Sequence, residues 1–155
     1  MKIFKIVCII ALVLGMATFA FAAEGKRTAQ IMSLEGKAEV MLAGQSNWSP
    51  AQVGMTLNEG DTLKTDAKSM AALNVDGKGQ AATVDVSEKS QLLLSAMMVD
   101  QKAGTSKTLL DLAMGEILIK AQKVQGEESK FEVKTPTSIV GVRGTTFRVK
   151  VEAVE

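Results

Sequence analysis

The sequence has no histidine, no tyrosine and a single cysteine, Cys8, which lies in an apolar run at the N-terminus. Without an imidazole or an accessible thiol, the chain cannot form a Ser-His-Asp or Cys-His nucleophilic site. It also lacks the nitrogen and sulfur ligands that zinc sites use, and a lone cysteine cannot form an internal disulfide. We therefore expect a protein that is not an enzyme and that holds no cofactor and no metal.

Carboxylates are the remaining acid–base groups, and a hydrolase that uses only carboxylates stays open as an alternative. The aspartates available to it are Asp61, Asp66, Asp76 and Asp85. No pair among them stands out. Asp61 and Asp76 adjoin glycines in segments that read as turns, and aspartate at a turn favours local hydrogen bonding to the backbone. We interpret these two residues as turn residues.

Aromatic residues make up only 4% of the sequence, and Trp48 is the one tryptophan. A glycan-binding protein would use exposed aromatic rings, so this composition is thin for a lectin. We interpret Trp48 as a side chain that covers one end of the core. An exposed Trp48 beside a groove would instead favour the alternative function, a glycan or cell-wall binding module.

The N-terminus has the three parts of a secretory signal peptide. Met1–Lys5 is basic, Ile6–Phe21 is almost wholly apolar, and Ala20-Phe21-Ala22 supplies the small residues of a cleavage site. The apolar run is shorter than the ~20 residues that span a bilayer, although a retained membrane anchor is the rival interpretation. We predict a signal peptide over residues 1–22 and a periplasmic or secreted β domain over residues 23–155, with no integral membrane span after cleavage.

Cleavage also changes the charge balance. Loss of Lys2 and Lys5 lowers the number of basic residues from 18 to 16, against 17 acidic residues. A net charge near −1 gives no electrostatic reason to bind nucleic acid or an anionic membrane. We expect neither as a partner.

Most of the mature sequence reads as short strands separated by turn signals at intervals of ~8–12 residues. This spacing predicts an all-β fold, either a single compact β-sandwich or roll or a short β-solenoid, of about 10–13 short strands. Ala29–Leu34 and Ala38–Leu42 flank a turn around Gly36, and we predict that they pair as a first hairpin.

Two further segments carry clear strand signals. Asp-Gly lies between the alternating runs Ala71–Val75 and Ala82–Val86, which predicts a hairpin because both central residues of a type I′ turn need positive φ. Thr108–Lys120 has apolar residues near helical spacing, but Gly115 lies in the middle and Glu116–Lys120 alternates as a strand. We predict two strands separated by a turn at Gly115 and not a helix.

Near the C-terminus, Arg143 lies between Gly141 and Gly144 in an apolar, β-branched run. The glycines would permit a bulge or a close approach between strands. A buried arginine needs a carboxylate or several carbonyls, because an unpaired buried charge is costly. We predict that Arg143 ties a bent strand to a neighbouring turn, with Asp61 or Asp85 as its partner. Binding of an anion or another ligand by Arg143 is the alternative.

Three stretches together resemble the FecR-type domain. They are "WSPAxxGxxLxxGDxLxT" from Trp48 to Thr65, "LxLxxGxI" from Leu110 to Ile117, and "FxVxTPTxxxGVRGTxF" from Phe131 to Phe147. The resemblance spans roughly Ile31 to the C-terminus. The positions that we assign to its structural motif are Trp48, Gly54, Gly60, Asp61, Gly115, Pro136, Gly141, Arg143, Gly144, Thr145 and Phe147.

The resemblance implies an all-β domain of the bacterial cell envelope that acts through protein–protein interaction, with an envelope or outer-membrane protein as its partner. In the best-known members, the domain is the periplasmic part of a regulator that senses an occupied outer-membrane transporter and signals to a sigma factor. Those regulators carry a cytoplasmic segment before an internal membrane helix, whereas this apolar segment begins at Ile3. Direct regulation of a sigma factor is therefore not expected.

The family's final strands are barely present after the Arg-Gly-Thr motif, so we expect a short variant or a chain without its last strands. In the latter case Thr145–Val151 would have an unpaired edge, and Phe147, Val149 and Val151 would be incompletely covered. A partner strand can add to such an edge through main-chain hydrogen bonds. The sequence therefore predicts a role in envelope signalling or assembly, with this strand as the docking edge.

Overall fold

The computed structural model describes residues 25–75, 82–100, 102, 104–121, 129–142, 144 and 146–152. The predicted signal peptide lies outside these residues. The described part folds into thirteen strands and contains no helix, so the all-β prediction and its strand number are confirmed. The strands are β1 (Gly25–Lys26), β2 (Ala29–Glu35), β3 (Ala38–Met41), β4 (Ser49–Pro50), β5 (Thr56–Leu57), β6 (Thr62–Thr65), β7 (Met70–Val75), β8 (Ala82–Val86), β9 (Gln91–Asp100), β10 (Thr105–Ala121), β11 (Lys130–Lys134), β12 (Ile139–Val142) and β13 (Thr146–Val151).

The 17-residue strand β10 joins two parts of one curled sheet. Its first half pairs with β9 on one side and with β11 on the other, and we call this part sheet A. Its second half pairs with β8 and β13, and we call that part sheet B. Sheet A has the order β4-β3-β6-β9-β10-β11-β12, with β1 added on β9, and sheet B has the order β13-β10-β8-β7-β2-β5. The β10–β11 pair is parallel, and the other pairs between the described strands are antiparallel.

The core follows from alternation along these strands, since successive side chains of a strand point to opposite faces. Alternate residues of β7 and β8 are buried, and so are alternate residues of the second half of β10. The buried apolar side chains of the two sheets form one cluster. Its fully buried members include Leu63, Leu92 and Leu112 from sheet A and Leu73, Val84 and Ile119 from sheet B. Burying a side chain of this size contributes about 1.5–3 kcal/mol each, so this shared core holds both sheets together.

The predicted first hairpin is wrong, although both of its strands exist. β2 pairs with β5 and β7 in sheet B, whereas β3 pairs with β4 and β6 in sheet A. The turn between them has Gly36 at φ 77° and is held by other segments. The Lys37 N–H donates to Ser69 Oγ over 2.9 Å, and the Lys37 carbonyl accepts from the Asp66 N–H over 3.0 Å. The chain therefore crosses from one sheet to the other at this point.

The second predicted hairpin is confirmed by the pairing of β7 with β8, from Val75 opposite Ala82 to Ala71 opposite Val86. Its Asp-Gly turn falls outside the described residues. The prediction of two strands around Gly115 is wrong, because β10 runs unbroken from Thr105 to Ala121. Gly115 has φ 93°, and the pairing with β9 shifts register between Leu112 and Met114. The glycine signal marked a bend within one strand and not a turn between two.

Ser90 packs directly against this bend. A Cβ placed on Gly115 would overlap the Ser90 Cα, Cβ and Oγ atoms. The Ser90 hydroxyl oxygen accepts the Glu116 N–H over 3.0 Å, and the Ser90 N–H donates to Thr65 Oγ1 over 3.1 Å. Ser90 is fully buried and Thr65 is 1% exposed. Their polar groups cannot reach water, so these hydrogen bonds satisfy them inside the fold. Glycine at 115 is therefore required both by the backbone angle and by the lack of space.

We predict that Gly115→Ala lowers the free energy of unfolding by about 2–4 kcal/mol, because alanine is strained at positive φ and its methyl group overlaps Ser90. Gly44→Ala is the matched control, since Gly44 also has a positive φ, 75°, but no atom lies within 4 Å of a Cβ at that position. The control is expected to lose only the backbone strain, about 1–2 kcal/mol. Urea unfolding of both variants measures the difference, and equal losses would show that the contact with Ser90 adds nothing to the need for glycine.

Candidate functional site

The C-terminal strand β13 lies at the edge of sheet B. It pairs with β10 over six residues, from Thr146 opposite Lys120 to Val151 opposite Gly115. Among the described strands, β10 is its sole partner, so its other edge carries main-chain groups with no strand beside them. Phe147 and Val151 are half-buried and pack against the core, and Val149 is 9% exposed. These three alternate residues therefore form the inward side of the strand.

The outer face of sheet B at this edge carries paired charges. Arg148 lies 3.4 Å from a Glu116 carboxylate oxygen, and Lys120 lies 2.9 Å from Asp85. Lys150 donates to Glu152 over 2.9 Å; this hydrogen bond and the attraction of the charges lower the pKa of Glu152 and raise the pKa of Lys150. The cation of each pair is more than half exposed, although Asp85 and Glu116 are only 27% and 29% exposed, so each pair is open to water and contributes little to stability. The result is an edge with charges of both signs beside its free main-chain groups.

A cavity of about 590 Å³ adjoins the end of β13. It is lined by the β8–β9 turn at Ser87–Lys89, the β10 bend at Met114–Glu116 and the strand end at Lys150–Glu152. Each glutamate in this lining already has a partner. Glu116 and Glu152 pair with cations as described above, and Glu88 accepts the Lys68 N–H. The cavity is therefore a recess bounded by ion pairs beside the strand edge.

The structure places the candidate carboxylates apart. Asp85 pairs with Lys120, and Asp66 is exposed beside a different cavity, of about 350 Å³. Asp76 lies outside the described residues. Within those residues, no group of three or more acidic, histidine or cysteine side chains is placed to hold a metal ion.

Asp61 is 2% exposed and lies in the turn before β6. One carboxylate oxygen accepts the Ala43 N–H over 2.8 Å, and the other accepts the Asn58 N–H over 2.8 Å. Gly60, at φ 91°, allows the turn, and the site has no room for a side chain there because a Cβ would lie 2.8 Å from the Ala43 Cβ. Asp61 thus joins two loops through the backbone, which is the geometry of a turn residue.

Trp48 lies next to the short edge strand β4 and is half-buried. The ammonium nitrogen of Lys64 lies over its ring, 5.6 Å from the centroid. Lys64 follows the fully buried Leu63 in β6, so by alternation it belongs to the outer face of sheet A. Lys64 covers one face of the indole, and a glycan would have to stack on the other face. β4 consists of Ser49 and Pro50 and pairs with β3, although proline at 50 has no N–H to donate.

Four further motif residues lie in the described part of the chain: Gly54, and Pro136, Gly141 and Gly144 in the segment from the end of β11 to the start of β13. Gly54 has φ 87° and donates its N–H to the Ile31 carbonyl over 2.7 Å. Pro136 lies in the β11–β12 turn, which closes through the Thr135 N–H and the Ser138 carbonyl, 2.8 Å apart. Gly144 has φ 61°, whereas Gly141 lies in β12 with no positive φ and no close neighbour. The expectation that Gly141 serves a bulge or a close approach is therefore wrong.

Arg143 and Thr145 lie outside the described residues. That Arg143 ties a bent strand to a neighbouring turn therefore stays a prediction. Both carboxylates named as its partner already bond elsewhere, Asp61 to backbone N–H groups and Asp85 to Lys120.

A buried arginine that sequence reasoning missed is Arg27. It is 7% exposed and donates to Thr108 Oγ1 over 2.9 Å. No motif or spacing marked it, because the partner is 81 positions away. Ser90 was missed for the same reason, since its contacts to the β10 bend join residues 26 positions apart.

The FecR protein family matches residues 61–154, so this chain belongs to the FecR family, as the sequence resemblance predicts. The match includes the Asp61 turn, the β10 bend and the β11–β13 segment. No curated protein and no solved structure is significantly similar to the chain. Over the residues that the structure describes, none forms a helix with the length and apolar character needed to cross a bilayer.

We predict that Asp61→Ala lowers the free energy of unfolding by about 2–4 kcal/mol, because two backbone donors lose their acceptor in a partly buried site. Asp66→Ala is the matched control, since that aspartate is exposed, and it is expected to change stability by less than about 0.5 kcal/mol. Thermal and urea unfolding report both values. A similar small effect for the two variants would contradict the role of Asp61 in joining the loops.

Proposed function

We propose that this protein is an exported, non-enzymatic domain of the bacterial cell envelope that binds another envelope protein through the free edge of β13. Membership of the FecR family supports an envelope signalling or assembly role. The basic and apolar N-terminus supports export to the periplasm or beyond. The observation that carries the proposal is the edge itself: six paired residues on one side of β13 and no strand on the other among the described residues.

The side chains of β13 suit the addition of a strand. The inward positions continue the core, and Phe147 and Val151 are left half-buried, so an added strand with apolar residues at alternate positions would bury more of both. The outward positions Arg148 and Lys150 are charged, and such charges on an edge discourage uncontrolled pairing between sheets. The affinity would come from main-chain hydrogen bonds and the specificity from the alternate side chains.

The predicted mature chain has no cysteine, so a single introduced thiol can report on the edge. Thr146→Cys places a thiol on β13, where Thr146 is exposed. Thr83→Cys is the matched control, because Thr83 is also exposed but lies in β8, between β7 and β10. A short thiol-reactive photo-crosslinker is applied to intact cells. Thr146→Cys is expected to capture one envelope protein in every repeat, and Thr83→Cys is expected not to capture it.

Mass spectrometry of the adduct names the partner, and the N-terminus of the recovered chain tests export. We expect processing after Ala22 and recovery from the periplasmic or extracellular fraction. Adducts of equal yield at both positions, or a protein recovered from the cytoplasm with its N-terminus intact, would refute the proposal. Specific capture of a cell-wall polymer in place of a protein would favour the glycan-binding alternative.

A further inference from the structure

Sheet A has a free edge of its own, strand β12, which lies beyond β11. It pairs with β11 and, among the described strands, with no other. Two of its four residues are large, apolar and exposed: Ile139 is 63% exposed and Val140 is 38% exposed. The strand and the two residues before it contain no charge and no proline. β12 is short, at four residues, and Arg143 follows it in the sequence. Within the strand itself there is no lysine, proline or bulge, which proteins also use to protect an edge.

Both faces of β12 are uncovered. Ile139 is opposite the exposed Lys134, so it points to the outer face of sheet A. Val140 is opposite the fully buried Val133, so it points towards the core. A loop packed on one face of the sheet would cover one of these side chains and leave the other exposed. A further strand in the plane of the sheet would cover part of each.

We propose that a second copy of this chain supplies that strand, and that two β12 strands pair antiparallel about a two-fold axis at Val140. This register places Ile139 of each copy opposite Gly141 of the other. Gly141 has no side chain, nothing lies within 4 Å of its Cβ position, and it lines a cavity of about 280 Å³ together with Glu132 and Val142. The edge therefore carries both a projecting apolar side chain and the recess that accepts it, as a two-fold interface requires.

Side-chain shape selects this register among the alternatives. Residues that face each other across such an axis must lie on the same face of the sheet, so the axis falls on a residue and not between two. An axis at Ile139 would place the two Ile139 side chains against each other, and an axis at Gly141 would place Gly141 opposite itself; neither puts Ile139 into the recess. The charges of β11 are compatible with an axis at Val140, which puts Lys134 of one copy in the same cross-strand row as Glu132 of the other. They contribute little, because they lie three strand spacings apart, about 14 Å, and Lys134 already pairs with Asp111 over 3.1 Å.

Val140→Cys tests the pairing directly, because the axis puts this residue opposite itself. Directly opposed residues of antiparallel strands have Cα atoms about 4.5 or 5.5 Å apart, and both distances lie within the range that a disulfide spans. Under mild oxidation, this variant is expected to form a covalent dimer that reductant reverses. Val53→Cys is the control, since Val53 is 60% exposed but lies away from β12, and it is expected to stay monomeric.

The register has its own test by sedimentation equilibrium. The wild-type mature chain is expected to dimerise, and Ile139→Glu is expected to weaken the dimer at least ~10-fold by placing a charge in an apolar contact. Adding Gly141→Lys to that variant restores the dimer, because each new glutamate faces a new lysine across the axis. Within one chain, each new charge is opposite a residue of unlike charge on β11, Lys134 or Glu132, so circular dichroism and the melting temperature should show no loss of the monomer fold.

A wild-type chain that stays monomeric over the accessible concentration range would overturn the proposal. So would a dimer that survives Ile139→Glu while Val140→Cys forms no disulfide, since the interface would then lie elsewhere. Capture of a foreign envelope strand on β12, with no self-association, would also overturn it. The photo-crosslinks of Thr146→Cys concern the other edge and should be unaffected by Ile139→Glu, so the two proposals fail separately.

Discussion

The contact between Gly115 and Ser90 is the constraint on which the rest of the structure depends. β10 can belong to both sheets because its backbone bends at a residue with φ 93° and no side chain. The bend lies beside Ser90, the residue before β9. The Ser90 hydroxyl oxygen accepts the Glu116 N–H, while the Ser90 backbone N–H donates to Thr65 Oγ1. A buried residue whose polar groups need partners from two other segments favours one arrangement of strands, whereas the apolar core alone would tolerate several.

The bend also decides which strands become edges. β8 and β9 follow one side of β10, with Ala82 opposite Ala121 at one end and Asp100 opposite Thr105 at the other. The opposite side is shared by β11 in the first half and β13 in the second. β12 extends sheet A beyond β11, and the chain then returns to sheet B as β13. Two consecutive strands therefore end at two separate edges, and one short segment supplies both.

Local pattern predicted most strands, because alternation is a property of neighbouring residues. It also predicted the pairing of β7 with β8, where the turn is short in sequence. It failed where partners are distant: nothing near Gly36 indicates that β2 pairs with β7 and β3 with β6. Glycine was identified correctly as a special position at 115, but the sequence does not show whether positive φ serves a turn or a bend. Arg27 and Ser90 were missed because their hydrogen-bond partners are distant in sequence and neither residue belongs to a motif.

The contrast between the two edges follows from their side chains. On β13, Arg148 and Lys150 must keep their charges solvated or paired, so a strand added there has to offer compatible groups on the outer face. That requirement makes β13 selective. On β12, the outer face offers Ile139 and the open position at Gly141, which any apolar strand of suitable shape could meet. Such an edge is a hazard in a monomer unless a fixed partner covers it. A second copy is always present in the same compartment, so the proposed β12 pairing would satisfy this need and would leave the charged edge of each copy free for another protein.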